Sequence, residues 1–351
     1  MIASEDEMLE NNNYLFLSII IPVYNNSRRD LKRCINCLTY TRNKLLNFEI
    51  ILVDDGSEQS CSAFLDQMAL EREKLFIIHQ KNQGPAAARN NGVLIAKGKY
   101  VLFVDADDII PKQFWQDIDY IYQQKYDHDI IYGLVQLKPY DYDGEEMTQL
   151  DVTNIMTIAE KKKLYRHLID LGEGCFKFTQ GYISRGPIAR LVKRSLLLKC
   201  PFRVSLFHGE DDIWNLDIVI SAKKIGIIPH CWYYYIENPD SITHKPSSDY
   251  IAWRKKFIED LIPYVKSPEL YIAFGNEIIE VLHEIARTLY LSDANFCNIW
   301  HKNRSFNRLK KEYPFNLINI KYTLGGKKSL IKYLMYKTNV LLLGFWLKAK
   351  I

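Results

Sequence analysis

The stretch Tyr-Val-Leu-Phe-Val-Asp-Ala-Asp-Asp, residues 100–108, is an apolar run that ends in three carboxylates. Its first five residues, 100–104, are β-branched, aromatic or leucine, which predicts a strand buried on both faces. Comparable apolar runs precede it at residues 17–23, 48–53 and 75–79. Stretches with helical spacing separate these runs, at residues 30–40, 64–68 and 84–96. Such alternation predicts an α/β fold, in which helices cover both faces of a mostly parallel sheet.

Polar and acidic residues follow the predicted strands at their carboxyl ends. Tyr24 and Asn25 follow the first strand, Asp54 and Asp55 the second, and Asp105 opens the group after the fourth. Ligands of such sheets bind beyond the carboxyl ends of the strands. Neighbouring carboxylates repel each other unless a cation or hydrogen-bond donors balance them. Oxygen ligands on a short turn suit Mg²⁺ or Mn²⁺, with positions left open for phosphate oxygens, and solvated turn carboxylates are the alternative.

The whole chain of 351 residues is 48% hydrophobic and 25% charged, which excludes a mainly disordered or collagen-like protein. Its 46 basic and 42 acidic residues leave a net charge of +4, too balanced for a dedicated nucleic-acid binder. No run of roughly 18 apolar residues predicts a membrane span. The acidic amino end lacks the order of a secretion signal, and seven scattered cysteines indicate reduced thiols. We therefore expect a cytoplasmic protein.

Beyond residue 135 the pattern is less regular. A polar, turn-rich interval at 138–151 is typical of a loop, and a Gly-rich passage follows at 172–186. Helices are expected near 159–171 and 211–224, a strand at 225–236, and mostly helix from residue 250 onward. We predict a first domain over residues 1–245, with halves at 1–135 and 150–245, and a helical extension over 246–351.

The first 110 residues carry four motifs in series: Ser-Ile-Ile-Ile-Pro-Val-Tyr-Asn (18–25), Val-Asp-Asp-Gly-Ser (53–57), Asn-Gln-Gly-Pro-Ala-Ala-Ala-Arg-Asn-Asn-Gly (82–92) and Val-Asp-Ala-Asp-Asp (104–108). Together they resemble the motifs of family 2 glycosyltransferases, which have the GT-A fold, Rossmann-like in its nucleotide-binding half. Two later stretches, His-Gly-Glu-Asp-Asp-Ile-Trp (208–214) and Tyr-Tyr-Tyr-Ile-Glu-Asn-Pro-Asp-Ser-Ile-Thr (233–243), resemble the family's Glu-Asp motif and the strand and turn after it. The resemblance ends near residue 245.

The resemblance implies a role for individual residues. The nucleotide-sugar donor would be bound by Pro22, Tyr24, Asn25, Asp54, Asp55, Arg89 and Asp105. Asp107, together with Asp105, would hold Mn²⁺ or Mg²⁺ at the donor diphosphate. Asp211 would be the general base, with Asp212 in reserve.

Each of these assignments has an alternative. Asp54 and Asp55 also suit the cap of the helix that follows them, and Arg89 suits a surface ion pair. The acidic residues 210–212 suit the first turn of any helix. His208 and His244 are candidate metal ligands, with an ordinary surface position as the alternative.

The acceptor side is less well defined. Trp214, Trp232 and the run at 233–235 are candidates for stacking on an acceptor sugar, with core packing as the default. Where relatives often carry Trp and Lys before a leucine, this chain has Ile-Ala-Arg-Leu at 188–191. This departure concerns the acceptor subsite and not the donor subsite.

The activity implied by the resemblance is an inverting, metal-dependent transfer of sugar from a nucleotide sugar, expected to be a UDP-sugar. The acceptor would be a hydroxyl of a growing saccharide or a polyprenyl-diphosphate-linked acceptor in bacterial surface polysaccharide biosynthesis. A divalent ion stabilises the leaving diphosphate, and one carboxylate base without a covalent intermediate implies inversion. The alternatives are a catalytically inactive nucleotide-sugar-binding scaffold and a sugar nucleotidyltransferase. A dehydrogenase is disfavoured because no GxGxxG follows a strand.

The carboxyl-terminal tail combines basic and apolar residues. No acidic residue follows Glu312, whereas seven lysines do. Apolar residues surround these lysines, and Phe345 and Trp346 stand near the end. Such a pattern suits peripheral contact with an anionic membrane at the inner face of the plasma membrane, and packing on the catalytic domain is the alternative.

Overall fold

The computed structural model describes residues 15–38, 47–142, 156–157, 161–169, 177–237, 249–291, 297–318 and 327–348. His244 lies outside the described residues, and so do the side chains of Phe345 and Trp346. The chain forms two compact units. The first unit comprises Met1–Lys161, Phe176–Ser205 and Asp217–Asp240, and the second comprises Lys162–Cys175, Leu206–Leu216 and Ser241–Ile351.

The first unit is built on one mixed sheet. Its strands are β1 (Leu17–Val23), β2 (Phe48–Asp54), β3 (Leu75–His79), β4 (Tyr100–Phe103), β5 (Ile130–Pro139), β6 (Met156–Thr157), β7 (Lys177–Phe178), β8 (Gly181–Tyr182), β9 (Arg190–Lys193) and β10 (Ile225–Glu237). The order across the sheet is β3-β2-β1-β4-β9-β5-β10-β6. Strands β1 to β4 are parallel, and β9 lies antiparallel between β4 and β5. The expected α/β fold with a mostly parallel sheet is confirmed.

Helices cover both faces of this sheet. They are α1 (Arg28–Leu38), α2 (Gln59–Leu70), α3 (Pro85–Ile95) and α4 (Lys112–Gln123). Every residue of β1 except Pro22 is buried. The side chains of a strand point alternately to the two faces of the sheet, and here helices cover both faces. Ile19 and Ile21 belong to a core cluster with residues of α1 and α4. Ile20 points to the other face, where α3 approaches so closely that a Cβ at Gly92 would collide with it.

The later part of the chain is mainly helical. Its helices are α5 (Lys161–Ile169), α6 (Arg194–Leu197), α7 (Glu210–Ser221), α8 (Tyr250–Leu261), α9 (Pro268–Ile285), α10 (Ile299–Leu309), α11 (Lys327–Lys337) and α12 (Leu341–Lys348). Phe257 and Leu261 of α8 and Ile278, Leu282 and Ile285 of α9 are buried, as their helical spacing predicts. None of the described helices is long and apolar enough to cross a membrane.

Candidate functional site

A tight turn follows β4 and presents the two carboxylates that the sequence singled out. In this DxD turn (Asp105–Asp107), the amide of Asp108 donates to the carbonyl of Asp105 over 3.1 Å. The guanidinium of Arg33, on α1, donates to the carbonyl of Asp107 over 2.7 Å. The thiol of Cys34 lies 3.7 Å from the carbonyl of Asp105. The turn is therefore held through its backbone, which leaves its two aspartate side chains partly exposed.

Strand β10 fixes the same turn from the other side. The backbone amide of Asp105 donates to the hydroxyl of Tyr233 over 2.9 Å, and that hydroxyl donates to the carboxylate of Asp108 over 2.6 Å. The amide of Ile236 donates to the second oxygen of Asp108 over 2.8 Å. Ile109 and Tyr234 exchange two backbone hydrogen bonds. The chain is thus bonded to β10 at the start of the DxD turn, through Tyr233, and again just after it, at Ile109.

Asp108 and Tyr233 are positioning residues that sequence reasoning missed. Asp108 is 1% exposed and Tyr233 is fully buried. Burial raises the pKa of Asp108 well above its usual range, and the negative charges of Asp105 and Asp107 raise it further. The sequence does show a third carboxylate at position 108, directly after the DxD motif, and a tyrosine in a predicted buried strand. Their pairing could not be predicted, because the two residues are far apart in the chain.

Asp105 forms an ion pair with Arg89. The guanidinium Nη2 of Arg89 lies 3.1 Å from Oδ1 of Asp105. Arg89 is only 5% exposed, and its guanidinium carbon stands 5.5 Å from the ring centre of Phe202. The side chain of Asp105 is 34% exposed. A surface ion pair is thereby excluded for Arg89, whose buried charge lies beside the DxD turn.

Asp54 is bonded within its own strand–helix junction. Its carboxylate accepts hydrogen bonds from the amide of Ser57 over 2.9 Å and from the hydroxyl of Ser62 over 2.6 Å. The Nδ1 atom of His79, at the end of β3, lies 2.8 Å away. Burial opposes ionisation, but the hydrogen bonds from Ser57, Ser62 and His79 outweigh it and lower the pKa of Asp54. These bonds tie Asp54 to the junction between β2 and α2, but the N-cap residue of α2 is Glu58, which makes no side-chain capping hydrogen bond, so Asp54 is not the cap of this helix.

Asp55 organises the loop between β3 and α3. One of its oxygens accepts from the side-chain amide of Gln80 over 2.7 Å and from the amide of Gln83 over 2.8 Å. The other accepts from the amide of Gly84, the residue before α3, over 2.8 Å. A carboxylate has about four lone-pair sites, so these three donors leave acceptor capacity for a ligand.

The segment after β1 is joined to the segment after β2. The amide of Asn25 donates to the hydroxyl of Ser57 over 3.0 Å, and the amide of Glu58 donates to the side-chain oxygen of Asn25 over 2.7 Å. Asn25 adopts a positive φ of 55°, which asparagine tolerates better than most residues. Tyr24, which is 42% exposed, and the half-buried Pro22 flank it. The carboxyl ends of β1 and β2 thus form one connected rim.

The residues of the DxD turn fit a divalent ion of the Mg²⁺ or Mn²⁺ type. Such ions are held by one or two carboxylates, with phosphate oxygens and water completing the coordination. Asp105 and Asp107 supply carboxylate oxygens from positions separated by one residue, and both side chains are partly exposed. Within the described ranges, no group of three or more His, Cys, Asp or Glu side chains forms a closed metal cage. A cation bound at the DxD turn would therefore need further oxygen ligands from a bound substrate.

Asp211 lies in the second unit, in the first turn of α7, between Glu210 and Asp212. All three carboxylates are half-buried. Their position at a helix amino terminus is electrostatically favourable and does not distinguish a base from its neighbours. The assignment of Asp211 as base remains a prediction.

The predicted aromatic candidates belong to the core. Trp214, Trp232 and Tyr233 have no exposed surface, and Tyr234 is 7% exposed. Core packing, the default interpretation, is thus confirmed for these four. Tyr235 is 38% exposed.

The departure at 188–191 has a structural role in this chain. Arg190 is 1% exposed, and its guanidinium donates to the carbonyls of Ser184, Gly186 and Ile188. It also stands 4.7 Å from the ring centre of Tyr132. The arginine therefore organises the loop that precedes β9.

A family model described as "Glycosyl transferase family 2" matches residues 18–184, which include the DxD turn, Arg89, and the rim after β1 and β2. Residues 18–184, just under half of the chain, match the family 2 glycosyltransferases. Asp211 lies beyond the matched residues.

Two bacterial relatives and one solved structure place this domain among known proteins. The poly(ribitol-phosphate) beta-glucosyltransferase of Bacillus spizizenii is 29% identical over 72% of this chain and 37% of its own length. The uncharacterized glycosyltransferase EpsJ of Bacillus subtilis is 29% identical over 66% of this chain and 65% of its own. The chain thus spans less than two thirds of either relative.

S. aureus TarS 1-349, solved in complex with UDP-GlcNAc, superposes with a TM-score of 0.61 at 16% identity, covering 95% of this chain and 89% of that one. At that identity the likeness shows the fold alone, and it confirms the GT-A architecture.

Proposed function

We propose that this glycosyltransferase domain transfers a sugar from a nucleotide sugar, with UDP as the leaving group, to a hydroxyl of a saccharide or lipid-linked acceptor in bacterial surface polysaccharide synthesis. The observation that carries the proposal is the DxD turn, held rigidly at the carboxyl end of β4 with Arg89 paired to Asp105. The UDP-GlcNAc complex of TarS, which shares the fold, supports a UDP-sugar donor.

The donor diphosphate carries negative charge that two exposed carboxylates would repel. Asp105 and Asp107 would hold Mn²⁺ or Mg²⁺, which when bound supplies positive charge against the leaving diphosphate. Arg89 orients Asp105 through their ion pair and partly balances its charge. On the rim, Tyr24 offers an exposed ring for the nucleotide base, and Asp55 retains capacity to accept a hydrogen bond from it. Pro22 and Asn25 shape the segment that presents Tyr24.

Asp211 removes the proton from the acceptor hydroxyl as that oxygen attacks the anomeric carbon. A carboxylate in this role contributes roughly 10²- to 10⁴-fold to the rate. Because the acceptor oxygen displaces the nucleotide in a single step, the configuration at the anomeric carbon inverts.

A nucleotide-sugar screen tests the proposal. Thermal unfolding of the full chain is measured with UDP-, GDP- and dTDP-sugars, with and without Mn²⁺, because a ligand that binds only the native state raises its apparent stability. A UDP-sugar should raise the unfolding temperature only when Mn²⁺ or Mg²⁺ is present. Nucleotide release and proton NMR of the new glycosidic bond then report turnover and inversion. Absence of cation-assisted binding by every donor would refute the proposal.

For the cell, we propose a cytoplasmic enzyme with peripheral contact to an anionic membrane through α11. Tyr333 and Tyr336 of this helix are buried, whereas Ile331 is 56% and Leu334 is 50% exposed. Apolar side chains on a basic helix favour a membrane interface. The change of Ile331 and Leu334 to serine in the full chain should reduce co-sedimentation with phosphatidylglycerol vesicles and leave phosphatidylcholine controls unchanged. Equal sedimentation of the native protein and the variant would contradict a contact between α11 and the membrane.

A further inference from the structure

An aromatic pair is formed by the exposed Phe207, which precedes the acidic turn that carries Asp211, and the half-buried Trp253. The rings of Phe207 and Trp253 are stacked, with centroids 4.4 Å apart and planes 25° from parallel. Phe207 is 62% exposed, which is unusual for a phenylalanine in contact with a second aromatic ring. Phe207 and Asp211 are four residues apart, so their Cα atoms are separated by at most roughly 14 Å.

The pair is held rigidly within the second unit. Trp253 lies on α8, whose Arg254 is 6% exposed and bonds Glu284 over 2.8 Å. Gly209 has a φ of 84°, a region that favours glycine, and a Cβ there would collide with the ring of Phe257 on α8. The turn that bears Phe207 is therefore pressed directly onto α8, and the platform exists before any ligand binds.

The imidazole of His208 lies beside the pair. The imidazole of His208 has its ring centre 5.4 Å from that of Trp253 and 5.5 Å from that of Tyr250. Burial, and then the charge of Arg254, lower the pKa of His208, so its neutral ring offers one donor and one acceptor near neutral pH. The three carboxylates at 210–212 follow within the same segment.

We propose that Phe207 and Trp253 form a stacking platform for a pyranose ring of the acceptor, beside the acidic turn of α7. This inference rests on the proposed function and specifies its acceptor class. The face of a pyranose presents polarised C–H groups, which the electron-rich face of an aromatic ring attracts, while its hydroxyls reach the polar groups at the edge.

Charge and shape favour this occupant over others. Three carboxylates near the platform repel a polyanion such as a poly(alditol phosphate), which also lacks a ring to stack. They equally disfavour an acyl chain, because it would bring an apolar surface against polar carboxyl groups. A neutral ring sugar at the end of the acceptor is therefore the occupant that these groups favour.

Binding can be measured without turnover. Methyl β-glucopyranoside, methyl β-galactopyranoside, chitobiose and ribitol 5-phosphate are titrated into the full chain, and tryptophan emission is recorded. At least one pyranoside should change the emission, and the change should disappear in Trp253→Phe and weaken at least tenfold in Phe207→Ala. Trp300→Ala is the matched control, because Trp300 is 63% exposed on α10 and should leave the titration unchanged.

Turnover then separates the two proposals. With a working donor, Phe207→Ala should raise the KM for the pyranoside acceptor at least tenfold and leave donor KM and donor hydrolysis unchanged. The platform is refuted if no pyranoside binds, or if the change at Phe207 affects ribitol phosphate and pyranosides equally. Absence of donor binding, with pyranoside binding intact, would instead refute the proposed transferase activity.

Discussion

The hydroxyl of Tyr233 lies 2.6 Å from a carboxylate oxygen of Asp108, although 125 positions separate the two residues in the chain. The same hydroxyl accepts a hydrogen bond from the backbone of Asp105. One buried phenol therefore connects β10 to the turn that presents the proposed metal ligands. The position of these proposed ligands depends on a residue whose side chain is fully buried.

Tyr233→Phe should weaken both the fold and the metal-assisted binding of donor. Removal of the hydroxyl leaves the buried Asp108 short of one donor, which costs about 1–3 kcal/mol of unfolding free energy. It also frees the amide of Asp105, so the Mn²⁺ concentration needed for half-maximal UDP binding should rise. Urea unfolding and calorimetric UDP titrations at several Mn²⁺ concentrations measure the two effects. Tyr235→Phe, two residues along the same strand, is the control, and equal behaviour of both variants would contradict the positioning role.

Arg89→Lys should weaken donor binding although it keeps the charge. Lysine lacks the planar fork of arginine and cannot reproduce its position between Asp105 and the ring of Phe202. Loss of a charge-assisted hydrogen bond corresponds to roughly tenfold weaker UDP binding in calorimetry. Arg194→Lys is the matched control, because Arg194 bonds the carbonyls of Val93 and Leu94 at the other end of α3. Unchanged UDP affinity in Arg89→Lys would contradict a role of Arg89 in donor binding.

Asp211→Asn should abolish turnover and preserve donor binding. The amide cannot accept the acceptor proton, so kcat should fall by roughly 10²- to 10⁴-fold, while the dissociation constant for UDP stays within twofold. Steady-state kinetics and calorimetry measure these two quantities. Asp212→Asn, the adjacent carboxylate, should retain most activity. The reverse pattern would assign the base to Asp212. If neither substitution changed the behaviour of the protein, the result would favour the hypothesis of a catalytically inactive scaffold.

The contact between His79 and Asp54 should make stability depend on pH. The hydrogen bond with Asp54, and then the hydrogen bond and charge of Asp66, raise the pKa of His79 above its usual value near 6.5, and partial burial opposes the shift. The stabilisation is therefore fully present below about pH 6.5 and is lost as the pH rises through the raised value. Urea unfolding of the native protein and of His79→Gln should differ more at pH 5.5 than at pH 8.5.

Asp54 has the opposite dependence. Because its folded-state pKa is lowered, its stabilisation is present above about pH 4 and is lost as the pH falls through that lowered value.

Asp66→Asn, which removes the more exposed partner of His79, is the control for His79→Gln and should have a smaller effect than His79→Gln at pH 5.5. A difference between native protein and His79→Gln that is constant over the range would contradict the proposed linkage.

Local sequence accounted for most of the first unit. Continuous β-branched runs predicted β1 to β4 within one residue at each end, because a strand covered on both faces must be apolar throughout. The DxD turn was predicted because its carboxylates follow an apolar strand in a series of strand and helix patterns, and ligands of such sheets bind beyond the carboxyl ends of the strands. The order β3-β2-β1-β4 across the sheet was not among the predictions, because the pattern along the chain does not specify which strands are neighbours.

Other parts of the site depended on contacts between distant segments. Asp54 and Asp55 are adjacent in sequence, but Asp54 bonds its own helix start and His79, whereas Asp55 bonds the loop before α3. Arg190 carries no local signal for its three carbonyl partners. The stacked rings of Phe207 and Trp253 come from segments 46 positions apart, while all the acceptor-stacking candidates named from the sequence except Tyr235 are buried.

The amino-acid sequence by itself determined the α/β class, the strands and the chemistry available at their carboxyl ends, because periodicity and residue type act over a few neighbouring positions. Only the tertiary structure decided which carboxylates are buried in support of the turn, such as Asp108, and which remain exposed for a ligand, such as Asp105. The physical reason is that burial and hydrogen bonding belong to pairs of residues, and their partners are brought together by the sheet rather than by the local chain.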